Sequence, residues 1–309
     1  MILTVTLNTA LDITYRVRSL RPHASHRVSE VTERPGGKGV NVARVLAALG
    51  HEVTVTGFTG GATGRVVQEG LAAAAGVVDA LVPVSGATRR TIAVADERTG
   101  DTTQLNEPGP TITPSEWSSF QEAYEELLPS ASAVALCGSL PPGVPVGAYA
   151  GLVRTARSFA VPVLLDTSGE PLRRGVAARP DIIKPNADEL AELTGSHDPL
   201  RATQDARRRG AAAVVASLGS QGLLAVTREG RWRAVPPTQL RGNPTGAGDA
   251  AVAGLLSAWV EHLPWPTCLT RATALAAATV RAPVAGEFDR GLYEELLTKV
   301  SVSGEVSAA

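Results

Sequence analysis

The sequence predicts an α/β protein in which helices cover both faces of a mainly parallel central sheet. One indication is that apolar segments of strand and helix length alternate from residue 114 to about residue 300, a rhythm typical of parallel sheets. Another is that two stretches, 12–34 and 86–108, are polar and β-leaning and lack the continuous apolar runs of buried parallel strands. With 309 residues and 44 % hydrophobic content, the chain can build a sizeable core. We therefore expect a three-layer α/β/α core that carries a small β-sheet lid.

The first third of the chain supplies strands and two glycine-led helices. Residues 2–7, 53–57 and 78–84 have the length and β-prone composition of strands. Glycine-rich segments at 36–39 and 60–64 each open an apolar helical pattern. The division that follows is a core of residues 1–11, 35–85 and 109–309 and a discontinuous β lid of residues 12–34 and 86–108.

In the rest of the chain predicted strands alternate with predicted helices, except in the lid and at the tail. Residues 88–95 and 102–106 flank a turn at 97–100 and are predicted to form a β-hairpin. The tail from Ser301 is small and polar, so we expect it to fray. Further strands are expected at 133–137, 161–165, 181–184, 213–217 and 223–227, and helices at 114–128, 144–158, 187–194, 201–209, 247–262, 268–281 and 290–299.

Composition excludes several classes of function. The net charge of −1 and the pI of about 6.5 offer no electrostatic attraction for nucleic acid or an anionic membrane. Cys137 and Cys268 stand in apolar surroundings and are interpreted as core residues, since no metal-ligand or disulfide spacing is present. The first seven residues resemble a strand and no apolar run reaches membrane-spanning length, so we expect a cytoplasmic protein.

The most informative stretch is 243–249, where Gly246 and Gly248 precede a long apolar helix. A glycine turn that leads into a helix leaves free N–H groups at the positive end of the helix, which suits a phosphate. Asp249 is unexpected there because a carboxylate repels phosphate. It is either a base that takes a proton from an attacking hydroxyl or a first-turn residue that favours the helix dipole. The residues alone leave both interpretations open.

A second glycine segment, at 36–43, also leads into a helix. It is not a P-loop, because Gly39 follows Lys38 where Ser or Thr should hold magnesium. It is not the dinucleotide fingerprint, because the third glycine is replaced by Val42. Lysine is rare in this chain, since only Lys38, Lys184 and Lys299 occur among 29 basic residues.

Unusual sequence also follows several predicted strands. In doubly wound sheets ligands bind at the carboxyl ends of the strands, and Ser139, Asp166, Lys184 and Gly219 all lie at or just after such ends. Each could be ordinary turn chemistry, but their coincidence predicts a ligand site along this edge. Ser139 has no nucleophile-elbow context and the five histidines have no ligand spacing, so serine hydrolysis is unsupported.

Two pairs of residues leave alternatives open. Asn186 and Glu189 could hold a hydrated Mg²⁺, or they could form a capping box at the start of a helix. Arg89 and Arg90 point to opposite faces of a strand, so one could clamp a substrate phosphate while the other is solvated.

Five segments, taken in order, resemble the PfkB group of the ribokinase-like carbohydrate kinase superfamily. They are residues 36–43, 138–143, 184–189, 217–222 and 243–249, and the match runs nearly end to end. The resemblance implies the ribokinase-like three-layer fold and phosphorylation of a sugar hydroxyl with ATP and Mg²⁺. It favours Asp249 as the catalytic base, with the backbone of Gly246, Ala247 and Gly248 as the anion hole.

The resemblance also implies roles for the other motif residues. Asn186 and Glu189 would organise magnesium, and a requirement for a monovalent cation stays open. The implied substrate ligands are Asp12, Gly37, Lys38, Asn41, Arg89 and Ser139, and the implied nucleotide ligands are Lys184, Asn186, Ser217, Gly219, Gly222 and Thr245.

Within the superfamily the chain is most similar to the phosphosugar branch, and Lys38 favours 1-phosphofructokinase or tagatose-6-phosphate kinase over the minor 6-phosphofructokinase. Two departures are Thr91, where the branch tends to have asparagine, and Thr9, where proline is frequent. The leading hypothesis is a fructose 1-phosphate kinase. The alternatives are another phosphosugar kinase, a kinase for an unphosphorylated sugar or nucleoside, and a non-catalytic sugar-phosphate sensor. A homodimer formed through the lids is also expected, because a short polar sheet needs a cover.

Overall fold

The structure contains an eleven-stranded central sheet and a separate four-stranded sheet. This computed structural model describes residues 1–238, 240 and 242–306. The strands are β1 (Ile2–Thr6), β2 (Ala10–Val17), β3 (Glu30–Gly36), β4 (Val53–Thr59), β5 (Val77–Asp79), β6 (Val82–Pro83), β7 (Arg89–Asp96), β8 (Thr102–Asn106), β9 (Ala133–Cys137), β10 (Val163–Asp166), β11 (Ile182–Ile183), β12 (Ala213–Ser217), β13 (Leu223–Val226), β14 (Gly230–Val235) and β15 (Ser301–Val306). The helices are α1 (Lys38–Ala48), α2 (Gly61–Ala72), α3 (Pro114–Leu127), α4 (Ala148–Ser158), α5 (Gly169–Ala177), α6 (Ala187–Thr194), α7 (Pro199–Arg208), α8 (Ala247–Val260), α9 (Trp265–Thr279) and α10 (Arg290–Leu297).

The central sheet is parallel through its middle and antiparallel at one edge. Its order is β15-β14-β13-β12-β11-β10-β9-β1-β4-β5, with β6 also on β4, and the pairs from β12 through β5 are parallel. One apolar cluster covers each face, the first containing Leu255 of α8 and the second containing Tyr149 of α4. The predicted three-layer fold with a mainly parallel sheet is confirmed.

Helix α8 lies in the middle of the first cluster. Its residues from Asp249 to Ala258 are buried, and it packs closely on α9. A Cβ on Gly254 would lie 2.6 Å from Ala272 Cα, so the absence of a side chain lets the two backbones approach. The amino end of α8 is therefore held firmly at the carboxyl edge of the sheet.

The small sheet joins the two polar β segments. Its order is β3-β2-β7-β8, with β2 and β7 parallel and the other pairs antiparallel. The predicted hairpin is present as β7 and β8. The sheet extends from Ala10 to Gly36 and from Arg89 to Asn106, and its separation from the core as a lid stays a prediction.

The prediction of a frayed tail was wrong for residues 301–306. They form β15, which pairs with β14 over six residues, and Arg231 forms an ion pair with Glu305 across the two strands. The small residues of this tail suit an edge strand because β14 offers it a complete row of backbone partners. Helix α5 and strand β14 were also missed, and residues 307–309 lie outside the described part. Within the described residues, no helix is both long and apolar enough to cross a membrane.

Candidate active site

Asp249 lies in the first turn of α8 and is 7 % exposed. Its Oδ2 accepts a hydrogen bond of 2.8 Å from Asn41 Nδ2 on α1, which orients the carboxylate. Burial raises the pKa of Asp249 to about 6, although the ammonium group of Lys38 pulls the pKa down. A carboxylate with its pKa near neutrality can take up a proton and release it again.

The turn before Asp249 depends on glycine. Gly246 is the N-cap of α8 with φ of 86°, and a Cβ there would lie 2.8 Å from Ala285 Cβ. The N–H of Ala247 donates to the carbonyl of Pro244 at 3.1 Å. No acceptor among the described residues bonds to the N–H groups of Gly246 and Gly248. The start of α8 therefore presents unused donors, as an anion site requires.

Two lysines flank this helix end and share one carboxylate. Asp166, the last residue of β10, is 1 % exposed, and its oxygens lie 3.4 Å from Nζ of Lys38 and 3.4 Å from Nζ of Lys184. Lys184 is 4 % exposed, whereas Lys38 is 39 % exposed. The Asp166 carboxylate raises the pKa of Lys38, so this ammonium stays charged. A Cβ on Gly248 would lie 3.6 Å from Lys184 Nζ, which places Lys184 beside the start of α8.

Asp166 was predicted from the sequence only as one of several residues at the ligand-binding edge of the sheet, without a role of its own. The sequence did contain a signal for such a role. Asp166 directly follows an apolar strand segment, and two of the three lysines, Lys38 and Lys184, stand next to glycine or proline. What could not be read from the sequence is that Lys38, 128 positions away, lies against it.

Asp12 occupies the junction of the small sheet with the core. Burial raises the pKa of Asp12 to about 6, and the guanidinium of Arg89 opposes that shift. Gly36 lies beside Asp12, since a Cβ on Gly36 would lie 2.1 Å from Asp12 Cγ. Arg89 Nε donates to the carbonyl of Asn8 at 3.1 Å, whereas Arg90 points outward and pairs with Glu107. The arginine that lies beside Asp12 is therefore Arg89, and the exposed one is Arg90.

Asn8 was also missed as a site residue. Its Nδ2 donates to Ser139 Oγ and to the carbonyl of Pro108, each at 3.1 Å. Its buried Oδ1 has no hydrogen-bond partner among the described residues. Gly109 leaves space for this side chain, because a Cβ there would lie 2.2 Å from Asn8 Oδ1. Asn8 thus connects β1, the return from the small sheet and the Ser139 loop.

The predicted nucleotide ligands follow the neighbouring strands. Asn186 and Glu189 form the capping box at the start of α6, with reciprocal bonds of 2.8 Å between side chain and backbone. Ser217 lies beside Asn186 in an isolated parallel bridge. Gly219 and Gly222, with φ of 59° and 83°, shape the turn that follows.

The remaining predicted residues lie around the amino ends of α1 and α8. Gly37 is the N-cap of α1 with φ of 106°, and a Cβ there would lie 2.6 Å from Thr6 Cγ2. The N–H of Thr245 donates to Asn243 Oδ1 at 3.0 Å. A cleft of about 440 Å³ between the small sheet and the core is lined by Asp12 and Thr245, and Asp249 lies outside its lining.

Comparisons with known proteins identify the family and similar solved structures. The model of the pfkB family carbohydrate kinases matches residues 5–289. A possible 1-phosphofructokinase from Thermotoga maritima is 29 % identical, with a TM-score of 0.89 over 99 % of both chains. Phosphofructokinase-2 from Escherichia coli in complex with fructose-6-phosphate is 28 % identical, with a TM-score of 0.87 over 96 % of this chain and 98 % of that chain. The same Escherichia coli protein in complex with potassium gives a TM-score of 0.89 at the same identity and coverage.

Proposed function

The chain belongs to the pfkB family of carbohydrate kinases, which transfer a phosphoryl group to a sugar hydroxyl, and we propose that its substrate is fructose 1-phosphate. The products would be fructose 1,6-bisphosphate and ADP. The observation that carries the proposed phosphoryl transfer is the buried Asp249 at the start of α8, beside unused backbone donors and two lysines.

Asp249 is proposed as the base that accepts the proton of the attacking hydroxyl. Its bond to Asn41 orients one oxygen, and a pKa of about 6 keeps the carboxylate ionised at neutral pH. The carbon–oxygen bond of the sugar stays intact, while the hydroxyl oxygen forms a bond to the γ-phosphorus and the bond to the leaving ADP breaks.

The charge of the transferring group would be stabilised from two directions. The N–H groups of Gly246 and Gly248 offer backbone donors at the positive end of α8. Lys184 supplies a fixed ammonium because Asp166 holds it in a buried position. Such fixed groups need no reorganisation when charge moves.

Kinases of this family use ATP, typically with Mg²⁺. The described residues contain no cluster of three His, Cys, Asp or Glu side chains that could enclose a metal. This fits an ion that stays hydrated and binds mainly nucleotide phosphates, and Asn186 and Glu189 have the oxygen donors to hold it through water. The bound ion would neutralise phosphate charge. Because one neighbour binds potassium, turnover should be compared with and without K⁺.

The preference for a phosphorylated sugar rests on two cations, Lys38 near Asp249 and Arg89 near Asp12. Lys38 is partly exposed and Arg89 is held beside Asp12, so both can meet an anionic group on the substrate. A neutral sugar would leave them without a new partner. Fructose 6-phosphate is the second candidate, because a neighbour of similar structure binds it.

A coupled assay of ADP release tests the substrate. Fructose 1-phosphate, fructose 6-phosphate, tagatose 6-phosphate and free fructose are compared at equal concentration. We expect the highest kcat/KM for fructose 1-phosphate. Faster turnover of another phosphosugar contradicts that substrate only, whereas faster turnover of free fructose contradicts the phosphosugar assignment. Ligand-induced thermal stabilisation without any ADP release would favour the sensor.

A further inference from the structure

A second cluster of cationic side chains lies at the edge of the sheet opposite Asp249. Arg157, Arg179, Arg207, Arg208 and Arg228 line a hollow of about 480 Å³ together with Asp181 and residues 210–212. We call it the arginine hollow. It lies at the amino ends of β11 and β12, whereas Lys184 and Ser217 lie at their carboxyl ends. It is therefore separate from the candidate active site.

Three of the five arginines lie in the last turns of helices, Arg157 in α4 and Arg207 and Arg208 in α7. Helices α4, α5 and α7 all end near the hollow, and their terminal carbonyls carry partial negative charge. Arg157 NH1 donates to the carbonyls of Ala178 at 3.3 Å and Arg179 at 2.8 Å. Arg207 Nε donates to the carbonyl of Ala212 at 3.2 Å. These bonds hold both guanidinium groups in place while most of their N–H donors stay unused.

The other charges do not balance. Among the described residues, Arg179 and Arg228 form neither an ion pair nor a side-chain hydrogen bond, and Arg208 pairs only with Asp205, at 3.3 Å. The one acid in the lining, Asp181, already accepts a bond of 2.9 Å from the N–H of Val163. Hence five guanidinium groups line the hollow with one carboxylate, and the second carboxylate that reaches one of them, Asp205, is shared with Arg209, in a chain whose net charge is −1.

An adjoining hollow contains fewer arginines and an acid that pairs with one of them. It shares Arg207 and Arg208 with the arginine hollow, but its third arginine, Arg231, is paired with Glu305. The two lining arginines without a side-chain partner among the described residues, Arg179 and Arg228, therefore both belong to the arginine hollow.

We propose that the arginine hollow binds a small anion that carries two or more phosphate groups. Guanidinium groups form two parallel hydrogen bonds to phosphate, and several of them around one concavity favour a multiply charged ligand. The volume is in the range of small-molecule sites. A long nucleic acid is a poorer fit, because the two arginines without a partner, Arg179 and Arg228, lie within one concave site.

The test is equilibrium dialysis of the full chain with inorganic tripolyphosphate and, separately, with ADP. The variant is Arg179→Gly/Arg228→Ala. Arg179 has φ of 62°, where glycine is favoured, so this change is compatible with folding. The matched control is Arg65→Ala/Arg154→Ala, which removes two exposed arginines outside the hollow.

We expect the wild type and the control to bind two equivalents, one in the active site and one in the hollow. The variant should bind the second equivalent at least tenfold more weakly, with kcat for sugar phosphorylation within twofold of wild type. Tighter binding of the second equivalent of tripolyphosphate would indicate an inorganic polyphosphate as the ligand of the hollow. Tighter binding of the second equivalent of ADP would indicate a nucleotide. An unchanged second equivalent in the variant, or only one equivalent in the wild type, overturns the proposal. Binding of a single-stranded oligonucleotide in place of tripolyphosphate also overturns it.

Discussion

At the scale of single residues, burial sets the pKa values of two carboxylates. Burial raises the pKa values of Asp249 and Asp12 to about 6. Asp249 as a base and Asp12 as a hydrogen-bond acceptor for sugar hydroxyls would both act as carboxylates. The carboxylate form is populated above the pKa. The two groups therefore tie the proposed reaction to the same pH range.

We expect kcat/KM to be flat above about pH 7 and to fall as pH decreases through 6. When both carboxylates must be ionised, the limiting slope is about two log units per pH unit. The Asp12→Asn variant should be less active, and its slope should be about one. An unchanged slope in that variant would exclude Asp12 from the profile.

The protonation of Asp249 and Asp12 should not unfold the protein in the pH range where activity is lost. Their folded pKa values lie above the unfolded values, so the folded state binds more protons between pH 4 and pH 6. Their contribution to the free energy of unfolding therefore increases as pH falls through this range. Circular dichroism at pH 5 should show folded protein in samples whose activity is low.

The Asp249→Asn variant tests the base directly. The asparagine side chain has nearly the same size as aspartate but cannot accept the proton, so kcat should fall by about 10²–10⁴-fold. Stopped-assay kinetics give kcat, and thermal unfolding shows that the variant is folded. A variant with near-normal kcat contradicts the role of Asp249 as base.

Substitution of Asp166, the carboxylate shared by two lysines, should lower the stability of the protein. Asp166→Asn leaves Lys184 buried without its partner, and breaking a buried ion pair costs about 3–5 kcal/mol of unfolding free energy. Urea titration measures this loss. The matched control is Asp205→Asn, whose exposed partners Arg208 and Arg209 should make the loss less than about 1 kcal/mol. Equal losses in the two variants would contradict the structural role of the buried pair.

At the scale of elements, glycines allow the strands and helix ends to approach the site. Gly36 ends β3 beside Asp12 of β2, and a Cβ there would lie 2.1 Å from the carboxyl carbon. Gly246 permits the left-handed turn before α8. Gly36 lies in the glycine segment 36–43 and Gly246 lies in the segment 243–249. These sequence motifs therefore reflect the close contacts that the folded structure requires at both positions.

We expect Gly36→Ala to displace Asp12 and to lower kcat/KM for the sugar by about 10²-fold, since displacements near 1 Å have effects of this size. The KM for ATP should change much less. Gly151→Ala on α4 is the control, because a Cβ there meets nothing within 4 Å. It should leave the kinetics unchanged and increase stability by up to about 1 kcal/mol. Similar sugar kinetics in both variants would argue against this placement of Asp12.

At the scale of the whole molecule, the small sheet has an exposed apolar surface. Val31 on β3 and Leu105 on β8 are 54 % and 58 % exposed. Val31 pairs with Tyr15 of β2, and Leu105 pairs with Ile92 of β7, which pairs with Ile13 of β2. Tyr15 and Ile13 are two positions apart, so all these side chains lie on one face of the sheet. Exposed apolar residues on a sheet with two open edges favour association. We propose that this sheet is the lid and that two chains form a homodimer through it.

Light scattering at micromolar concentration should give twice the 31.9 kDa mass of one chain. Val31→Asp/Leu105→Asp should shift the mass to the monomer, because charges would be buried in the interface. Val78→Asp is the control, since Val78 is 59 % exposed on β5 of the central sheet. A fully active wild-type monomer contradicts the proposed dimer.

The sequence by itself determined the fold class, most helices and strands, and the order of the site segments. These features depend on local periodicity and on glycine or proline at turns, which a single chain segment carries in full. The capping box at Asn186 and Glu189 is of this kind, because its two residues are three positions apart.

Only the tertiary structure decided which of these local signals meet. Asn41 and Asp249 are 208 positions apart, and neither segment by itself indicates the hydrogen bond between them. The same holds for the two lysines at Asp166, for Asn8 with Ser139, and for the tail that completes the sheet as β15. The reason is physical: a buried carboxylate or an open strand edge requires a partner, and chain folding selects that partner from residues distant in sequence.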